Sequence, residues 1–456
     1  MQVDNSFLGK EPVGRLLFKL ALPTIAAQVV NMLYNLVDRF FIGHMPGDSG
    51  SALTGVGVCF PLIMIISAFA ALIGSGGAPR ASILMGKGDK RAAESTMGAC
   101  FTALLLFSLA LTAVLLIWHR NLLLLFGASK DTIGAASDYM LIYSLGTVFV
   151  QLTLGMNAYI TAQGFAKQGM ITVLVGAIAN IALDPLFIYV FKMGVKGAAV
   201  ATVIAQALSC VWVLAFLFSK KSVLRLSYKK FSLKSKLLLP CIALGVAPFV
   251  MQASESVISI AFNTSLRDTA GDVAVGSMTI LTSVMQFAML PMQGLAQGAQ
   301  PIASYNYGAR QADRVKRVFW LLLGCSLIYS FTVWAVVMLF PNTVASLLTN
   351  DAGIVPYAAE VIRIYCAVLC VFGAQIACQM TFVSLGKALS SMIVAIMRKF
   401  VLILPLIYIM PAIFTRDKAV AIFAAEPVAD IIAVSFTVIL FAFQFRAAIK
   451  KISAPR

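Results

Sequence analysis

Charge is what this chain has least of. Only 12% of its 456 residues are Asp, Glu, Lys or Arg, and 60% are hydrophobic, whereas a soluble domain carries about 25% charged residues. That supply cannot cover an apolar interior with a water-facing shell, so the chain is an integral membrane protein. Histidine is scarcer still. The two present, His44 and His119, stand at the ends of separate apolar segments, and isolated histidines do not make a metal site. No HExxH and no Walker A sequence occurs, which leaves zinc proteolysis and direct drive by ATP without support. All eight cysteines fall within apolar segments and none in an expected outer loop, so no disulfide framework is expected and they read as small buried hydrophobes. A cleavable signal is missing too. Asp4 and Glu11 stand where its basic region belongs, and no small-residue cleavage site precedes Pro23. The first apolar run is expected to stay as an anchor.

What is there is a series of apolar runs of about twenty residues or more, the length a helix needs to cross a bilayer. They are not the roughly ten-residue alternating segments of a membrane barrel. Twelve spans are expected, at about 16–43, 52–76, 94–117, 136–159, 170–191, 197–219, 237–265, 273–298, 318–340, 355–380, 391–413 and 419–445. Turn-rich stretches such as Pro46-Gly47-Asp48-Ser49-Gly50 and Pro341-Asn342 separate them.

The net charge of +17 would suggest a nucleic-acid partner for a soluble protein. Here it reads as topology. With the N-terminus in the cytoplasm, 26 of the 35 Lys and Arg fall in inner segments and seven in outer loops, and Arg39 and Arg363 lie within spans. By the positive-inside rule both termini are expected to be cytoplasmic, and no nucleic acid is needed as a partner. The most basic inner segment, 220–236, carries seven Lys and Arg. It reads as a linker with an orientation signal, or as a contact for anionic lipid.

That linker separates two halves that resemble each other, an N-lobe over 1–219 and a C-lobe over 237–456. At one constant offset Pro79 matches Pro301, Ser82 matches Ser304, Gly86 matches Gly308, Gly164 matches Gly386 and Met170 matches Met392. At nearby offsets Pro23 pairs with Pro248, and Pro185-Leu186 with Pro405-Leu406. Six spans per half give both halves the same orientation, a parallel repeat of the kind secondary transporters use, with substrate sites between lobes.

Ionisable groups inside a bilayer are costly, about 2.5–3.5 kcal/mol on the mildest scale, so each is a functional candidate. Asp38 falls in span 1, Asp184 in span 5, Glu255 in span 7, and Glu426 and Asp430 in span 12. Counting from the outer boundary at 1.5 Å per residue sets Asp38, Asp184 and Thr202 at one depth, about 9–12 Å inside. Asn180, four residues before Asp184, shares its helix face, and Tyr139 near the start of span 4 is within reach. Pro185 frees the carbonyl of Ile181. A carboxylate, an amide oxygen and a carbonyl then offer hard oxygen ligands to a small cation; alternatively, Asp184 is a proton carrier, or a structural hydrogen-bonded group.

In the second half Glu255 and Asp430 both fall near the midplane, where they are expected to share a proton or jointly attract a cationic substrate. Span 8 carries Met278, Met285, Met289 and Met292 interleaved with glutamines. Met285 and Met289 suit either an adaptable drug cavity or plain packing. Gly294 and Gly298 form a small-xxx-small pair suited to close helix packing. Gly86-Lys87-Gly88-Asp89 has the GxGD form of intramembrane aspartyl proteases, but it lies in a basic loop and no Tyr-Asp partner exists.

Taken in order, the Leu-Pro-Thr opening of span 1 with Asn35 and Asp38, the segment 77–86 echoed at 299–308, Asn180–Pro185, and Gln252-Ala253-Ser254-Glu255-Ser256 resemble multidrug and toxic compound extrusion (MATE) transporters. The likeness covers nearly the whole chain and is greatest to the bacterial branch of MepA-like and DinF-like proteins. It implies an all-α membrane fold, two six-helix bundles forming a V-shaped cleft, and cation-coupled export by alternating access. It also implies an N-lobe proton or sodium network at Asp38, Tyr139, Asn180, Asp184 and Thr202, with the family's span-7 glutamate at Glu255. Some members use a span-10 aspartate, where this chain reads Phe372-Gly373-Ala374-Gln375.

The expected protein is therefore not an enzyme. It is an H+- or Na+-coupled efflux antiporter of amphipathic, often cationic drugs, acting as a monomer in a bacterial inner membrane, with membrane lipid around it and no cofactor beyond the coupling ion. Asn35, Gln252, Glu426 and Asp430 join Glu255, Met285 and Met289 as candidate substrate-side residues. The rivals are a lipid-linked precursor flippase of the same superfamily, which needs cations in its cleft, and a major-facilitator transporter.

Overall fold

The computed structural model describes residues 5–45, 49–349, 353–414 and 417–454. Asp4 and the turn expected over Pro46-Gly47-Asp48 lie outside the described residues. Among the described residues ten helices are long and apolar enough to cross a membrane, and with each of two bent pairs taken as one span the number is twelve. Spans 1–3 are Val13–Gly43, Ala52–Gly86 and Lys90–Leu125. Span 4 is Ile133–Leu145 with Thr147–Ala162, bent by 58°, and spans 5 and 6 are Ala166–Val190 and Val195–Phe218. Spans 7–9 are Ser235–Gly271, Val273–Gly308 and Ala312–Leu339. Span 10 is Val355–Tyr365 with Leu369–Ser384, bent by 52°, and spans 11 and 12 are Ala388–Ile413 and Lys418–Ser453.

Several helices outrun the expected apolar segments. Span 2 has 35 residues and span 3 has 36, about 52–54 Å at 1.5 Å per residue, against a hydrocarbon core of about 30 Å. Hydropathy marks only the lipid-immersed part of a helix, so the polar ends are invisible to it.

The repeat reaches down to element boundaries. Gly86 and Gly308 end spans 2 and 8; Ile133 and Val355 open the bent pairs; Ala162 and Ser384 close them; Ala166 and Ala388 begin the next spans. Every one of these pairs keeps the offset that aligns Pro79 with Pro301. Gly164 and Gly386, also related by it, hold the intervening turns at φ 91° and 72°, a backbone region that glycine enters without a Cβ penalty.

The two repeats touch along an axis that glycine keeps open. A Cβ on Gly86 would collide with the carbonyl oxygen of Tyr305, and one on Gly308 would collide with that of Ile83. Ile83 and Tyr305 are themselves repeat partners, so the contact is symmetric. Higher in the bundle Gly245 meets the Leu72 carbonyl. Gly294 and Gly298 let span 8 close onto the backbone of Ile25 and Ala21 in span 1, which is the packing role their spacing suggests.

Segment 220–236 is not a loose linker. Val223, Leu224 and Leu226 are buried in a core shared with spans 2, 3, 4 and 6, and Gln163 binds the Ser222 hydroxyl and the Leu224 N–H. Lys230 pairs with Glu94. The GxGD segment is a turn and a cap. Gly88 takes φ 82°, and the Asp89 carboxylate accepts the N–H of Ala92 at 2.9 Å to start span 3.

Replacing Gly86 by Val is expected to lower stability by about 1–3 kcal/mol through overpacking. Gly134, whose added Cβ would meet nothing within 4 Å, is the control. Thermal unfolding in detergent should separate Gly86→Val from Gly134→Ala; equal transitions would show that the crossing tolerates a side chain.

Candidate functional site: two buried charge clusters

Span 5 carries the first cluster because of how it ends. Pro185 offers no N–H, and the α-helix gives way there to a π-helical turn over Leu186–Val190. Asp184 sits immediately before this widening and Asn180 one turn earlier, both fully buried. The Asn180 amide Nδ2 donates to Asp184 Oδ1 at 3.3 Å and to Thr202 Oγ1 of span 6 at 3.4 Å. Asp38 of span 1 faces the same point, its carboxyl close to that of Asp184. Tyr139 is buried beside them, a neighbour of Asp38 and Thr202. All five residues chosen by depth and resemblance meet.

Three oxygens in this cluster are buried without a hydrogen-bond partner: Asp38 Oδ1, Asp184 Oδ2 and Asn180 Oδ1. Leaving such an atom unsatisfied costs about 1–3 kcal/mol, more for a charged group. Here all three are acceptors, two of them from touching carboxyl groups. A set of hard oxygen acceptors in a dry site fits a proton or a small hard cation better than any other ligand. Tyr34, one turn before Asp38, joins this cluster as a neighbour of Asp38, Asp184 and Thr202. It is not among the sequence candidates, although the i, i+4 spacing to Asp38 could mark it.

The second half is built differently. Glu255 and Asp430 do not pair with each other or share a proton. Each is taken by a cation on span 11: Lys399 Nζ lies 2.5 Å from Glu255 Oε1, and Arg398 Nε lies 2.7 Å from Asp430 Oδ1. Arg398 Nη2 also reaches Glu426 Oε1 at 2.9 Å, and its guanidinium stacks 4.7 Å from the centre of the Phe372 ring. Charge counting along the chain places Arg398 and Lys399 with the inner loop and leaves Arg39 and Arg363 as the intramembrane cations. They are instead buried in a π-helical stretch, Met397–Ile403, inside span 11. The inner tally falls to 24 against seven, so the bias itself stands. Their partners lie 28 to 144 residues away, beyond any local pattern.

With all five groups ionised this network carries one net negative charge. Its members differ in access. The Glu255 side chain is 60% exposed and that of Lys399 only 5%, so the carboxylate is the face the cluster presents.

The remaining candidates are peripheral to both clusters. Asn35 donates to the Asn31 carbonyl of its own helix at 2.7 Å on an exposed face. Gln252 is half-buried, one turn from Glu255. Met285 and Met289 are half-buried against a core that holds Met278 and Met292 fully, which is a packing position with one open side. Gln375 of span 10 is buried with its Oε1 unpartnered.

Twelve spans in a duplicated bundle, with acids buried inside it, define a polytopic membrane transporter. The family profile MatE matches residues 23–186 and 248–409, well over half the chain, and the protein belongs to the MATE family, which is one of transporters and not of enzymes. It is 24% identical over 411 residues to the multidrug export protein MepA of Staphylococcus aureus (strain NCTC 8325 / PS 47), covering 90% of this chain and 89% of that one. To MepA of Staphylococcus haemolyticus (strain JCSC1435) it is 22% identical over 408 residues, with the same coverage. The fold superposes on a crystal structure of MATE in the bent conformation with a TM-score of 0.92, at 22% identity and full coverage of both chains. An outward-facing multidrug resistance MATE transporter gives a TM-score of 0.91 at 22% identity, covering 98% of this chain and 99% of that one.

Replacing Arg398 by Met should destabilise the protein by about 3–5 kcal/mol, because it leaves Glu426 and Asp430 buried without their cation. Adding Glu426→Gln and Asp430→Asn to that variant should restore most of the loss. Unfolding transitions in detergent would show it; a single variant as stable as the parent would mean that the network is not closed.

Proposed function

We propose that the protein is a multidrug exporter that moves amphipathic, often cationic compounds outward against an inward flow of H+ or Na+, by alternating access. In this reading residues 1–219 and 237–456 are two lobes joined by 220–236, the basic face is cytoplasmic, and one chain suffices. The observation that carries the proposal is the convergence of three unpartnered oxygens from Asp38, Asp184 and Asn180 in a protein whose relatives are named for multidrug export.

The coupling follows from electrostatics. Without a cation, two touching carboxylates in a low dielectric repel, and spans 1 and 5 are pushed apart at that level. A proton or sodium ion between them removes the repulsion and draws the spans together. Span 1 transmits the change, because its lower half is fastened to span 8. Thr24 Oγ1 donates to the Gly294 carbonyl at 2.6 Å, and Gln28 donates to Gln297 at 3.2 Å. Bending of span 1 therefore acts on the second half, where Glu255 offers an accessible carboxylate to a cationic compound.

The flippase reading gains two intramembrane cations, Arg398 and Lys399, over the two that the sequence supplies. Both are held by carboxylates, so neither is free to meet a lipid phosphate, and the exporter remains the better reading.

Transport of a fluorescent lipophilic cation in proteoliposomes, under a pH gradient or a sodium gradient imposed separately, tests this. The parent should respond to one gradient, and Asp184→Asn should lose the response while keeping its unfolding transition. Undiminished coupled transport in the variant would refute the mechanism. A parent inactive under both gradients would refute the exporter, and lipid scrambling would then be measured.

A further inference from the structure

On the basic face, where the two repeats meet, lies a partly open cavity of about 330 Å³. Arg80 and Lys87 of span 2 supply its charge; Leu84 and, from span 7, Pro240 and Leu244 supply apolar wall; the Gly386 turn closes one side. Among the described residues no carboxylate lies within ion-pair distance of either cation, and Arg80 Nε is buried without a hydrogen-bond partner. Ala388, also in the lining, is the first residue of span 11, so a helix N-terminus with its free N–H groups borders the same space. Arg80 stands six residues before the end of span 2, about 9 Å along the axis. Since that helix exceeds the hydrocarbon core by about 20 Å in all, Arg80 falls at the level of the lipid headgroups.

The repeat provides an internal comparison. At the repeat offset Arg80 corresponds to Ile302 and Lys87 to Ala309, so the fold does not itself require cations there. The counterpart hollow is filled by the protein's own short helix Phe7–Lys10. Leu8 is fully buried in it, and its carbonyl accepts from Asn306 Nδ2 at 2.9 Å and Arg314 Nη2 at 3.0 Å. Phe7 lies against Gly164, the partner of Gly386. The segment that precedes span 7 takes a different course, onto span 3, where Phe231 stacks on Phe101 at 4.8 Å and the Lys230 backbone meets Gly98. One hollow is therefore filled from within by an apolar side chain with a polar anchor. Its twin stays open, apolar on one wall, with Lys87 exposed and the Arg80 Nε buried without a partner.

We propose that this cavity binds an anionic membrane phospholipid, its phosphate held by Arg80, Lys87 and the start of span 11, and the first methylenes of an acyl chain lying along Pro240 and Leu244. The volume suits a headgroup and the beginning of a chain, not a whole lipid. The lipid occupies, between spans 2, 7 and 11, the place that Leu8 occupies on the other side. It thereby clamps the two repeats at their closest crossing.

The test uses the full-length protein in detergent, with native mass spectrometry to count bound lipid and thermal unfolding to follow its effect. Phosphatidylglycerol, phosphatidylcholine and inorganic phosphate are added in parallel. The parent should retain one phosphatidylglycerol in preference to phosphatidylcholine, with a raised unfolding temperature, and inorganic phosphate should not reproduce the rise. Near-surface cations contribute about fivefold each to anionic-lipid binding. Lys87→Gln should therefore weaken retention about fivefold, and Arg80→Gln with Lys87→Gln about 25-fold. Lys87 is exposed, so the single variant stays informative if the double variant fails to fold. Equal retention by parent and Lys87→Gln overturns the proposal. So does an equal effect of inorganic phosphate, which would make the site one for free phosphate.

Discussion

An ionised group inside a membrane must find its counter-charge within the protein, and the two halves of this chain meet that demand in opposite ways. In the second half Glu255, Glu426 and Asp430 each have a cation from span 11, and Arg398 is further held by an aromatic face. In the first half, among the described residues, no cation lies within ion-pair distance of Asp38 or Asp184, and their near neighbours are each other, an amide and hydroxyls, with the Arg39 charge next along span 1. The same six-span unit thus carries one cluster closed by ion pairs and one whose Asp38, Asp184 and Asn180 each leave a buried oxygen without a partner. In the proposed exporter the first cluster is the substrate side and the second the coupling side.

The two repeats are in backbone contact. Gly86 and Gly308 bring the repeat partners Ile83 and Tyr305 within reach of each other's helices, and Gly294 and Gly298 seat span 8 on span 1. Contacts this close cannot be stretched gradually, since a packed interface switches between arrangements and does not deform continuously. In the proposed mechanism a change in the charge between spans 1 and 5 bends span 1, and its contacts with span 8 pass that bend to the wall of the second half. Pro185 and the π-helical turn behind it leave span 5 free to follow.

Much of this is legible in the order of residues, and the exceptions have physical causes. The twelve spans follow from apolar run length, and the duplication from glycines and prolines that agree on one offset. The Asp38 cluster is legible because helix rise is constant, so depth can be counted from loop residues. Tyr34 does not stand out although it lies one turn from Asp38, because a tyrosine in an apolar helix has an ordinary packing explanation. The partners of Glu255, Glu426 and Asp430 are hidden for a deeper reason. Arg398 and Lys399 stand near an inner boundary in the chain, where basic residues are expected, and only the tertiary packing of spans 7, 11 and 12 reveals that they are interior. The sharp bends within spans 4 and 10 leave no trace in hydropathy either, since both arms of each span are apolar.

The central claim is that the acids of the first half hold one cation between them. Infrared difference spectroscopy of the purified protein, titrated with pH and with sodium, observes the carboxyl groups directly. A protonated-carboxyl band should appear and then vanish, either as pH rises or as sodium is added, and it should be absent from Asp184→Asn. A spectrum with no such band at any pH, combined with no sodium binding, would contradict the account.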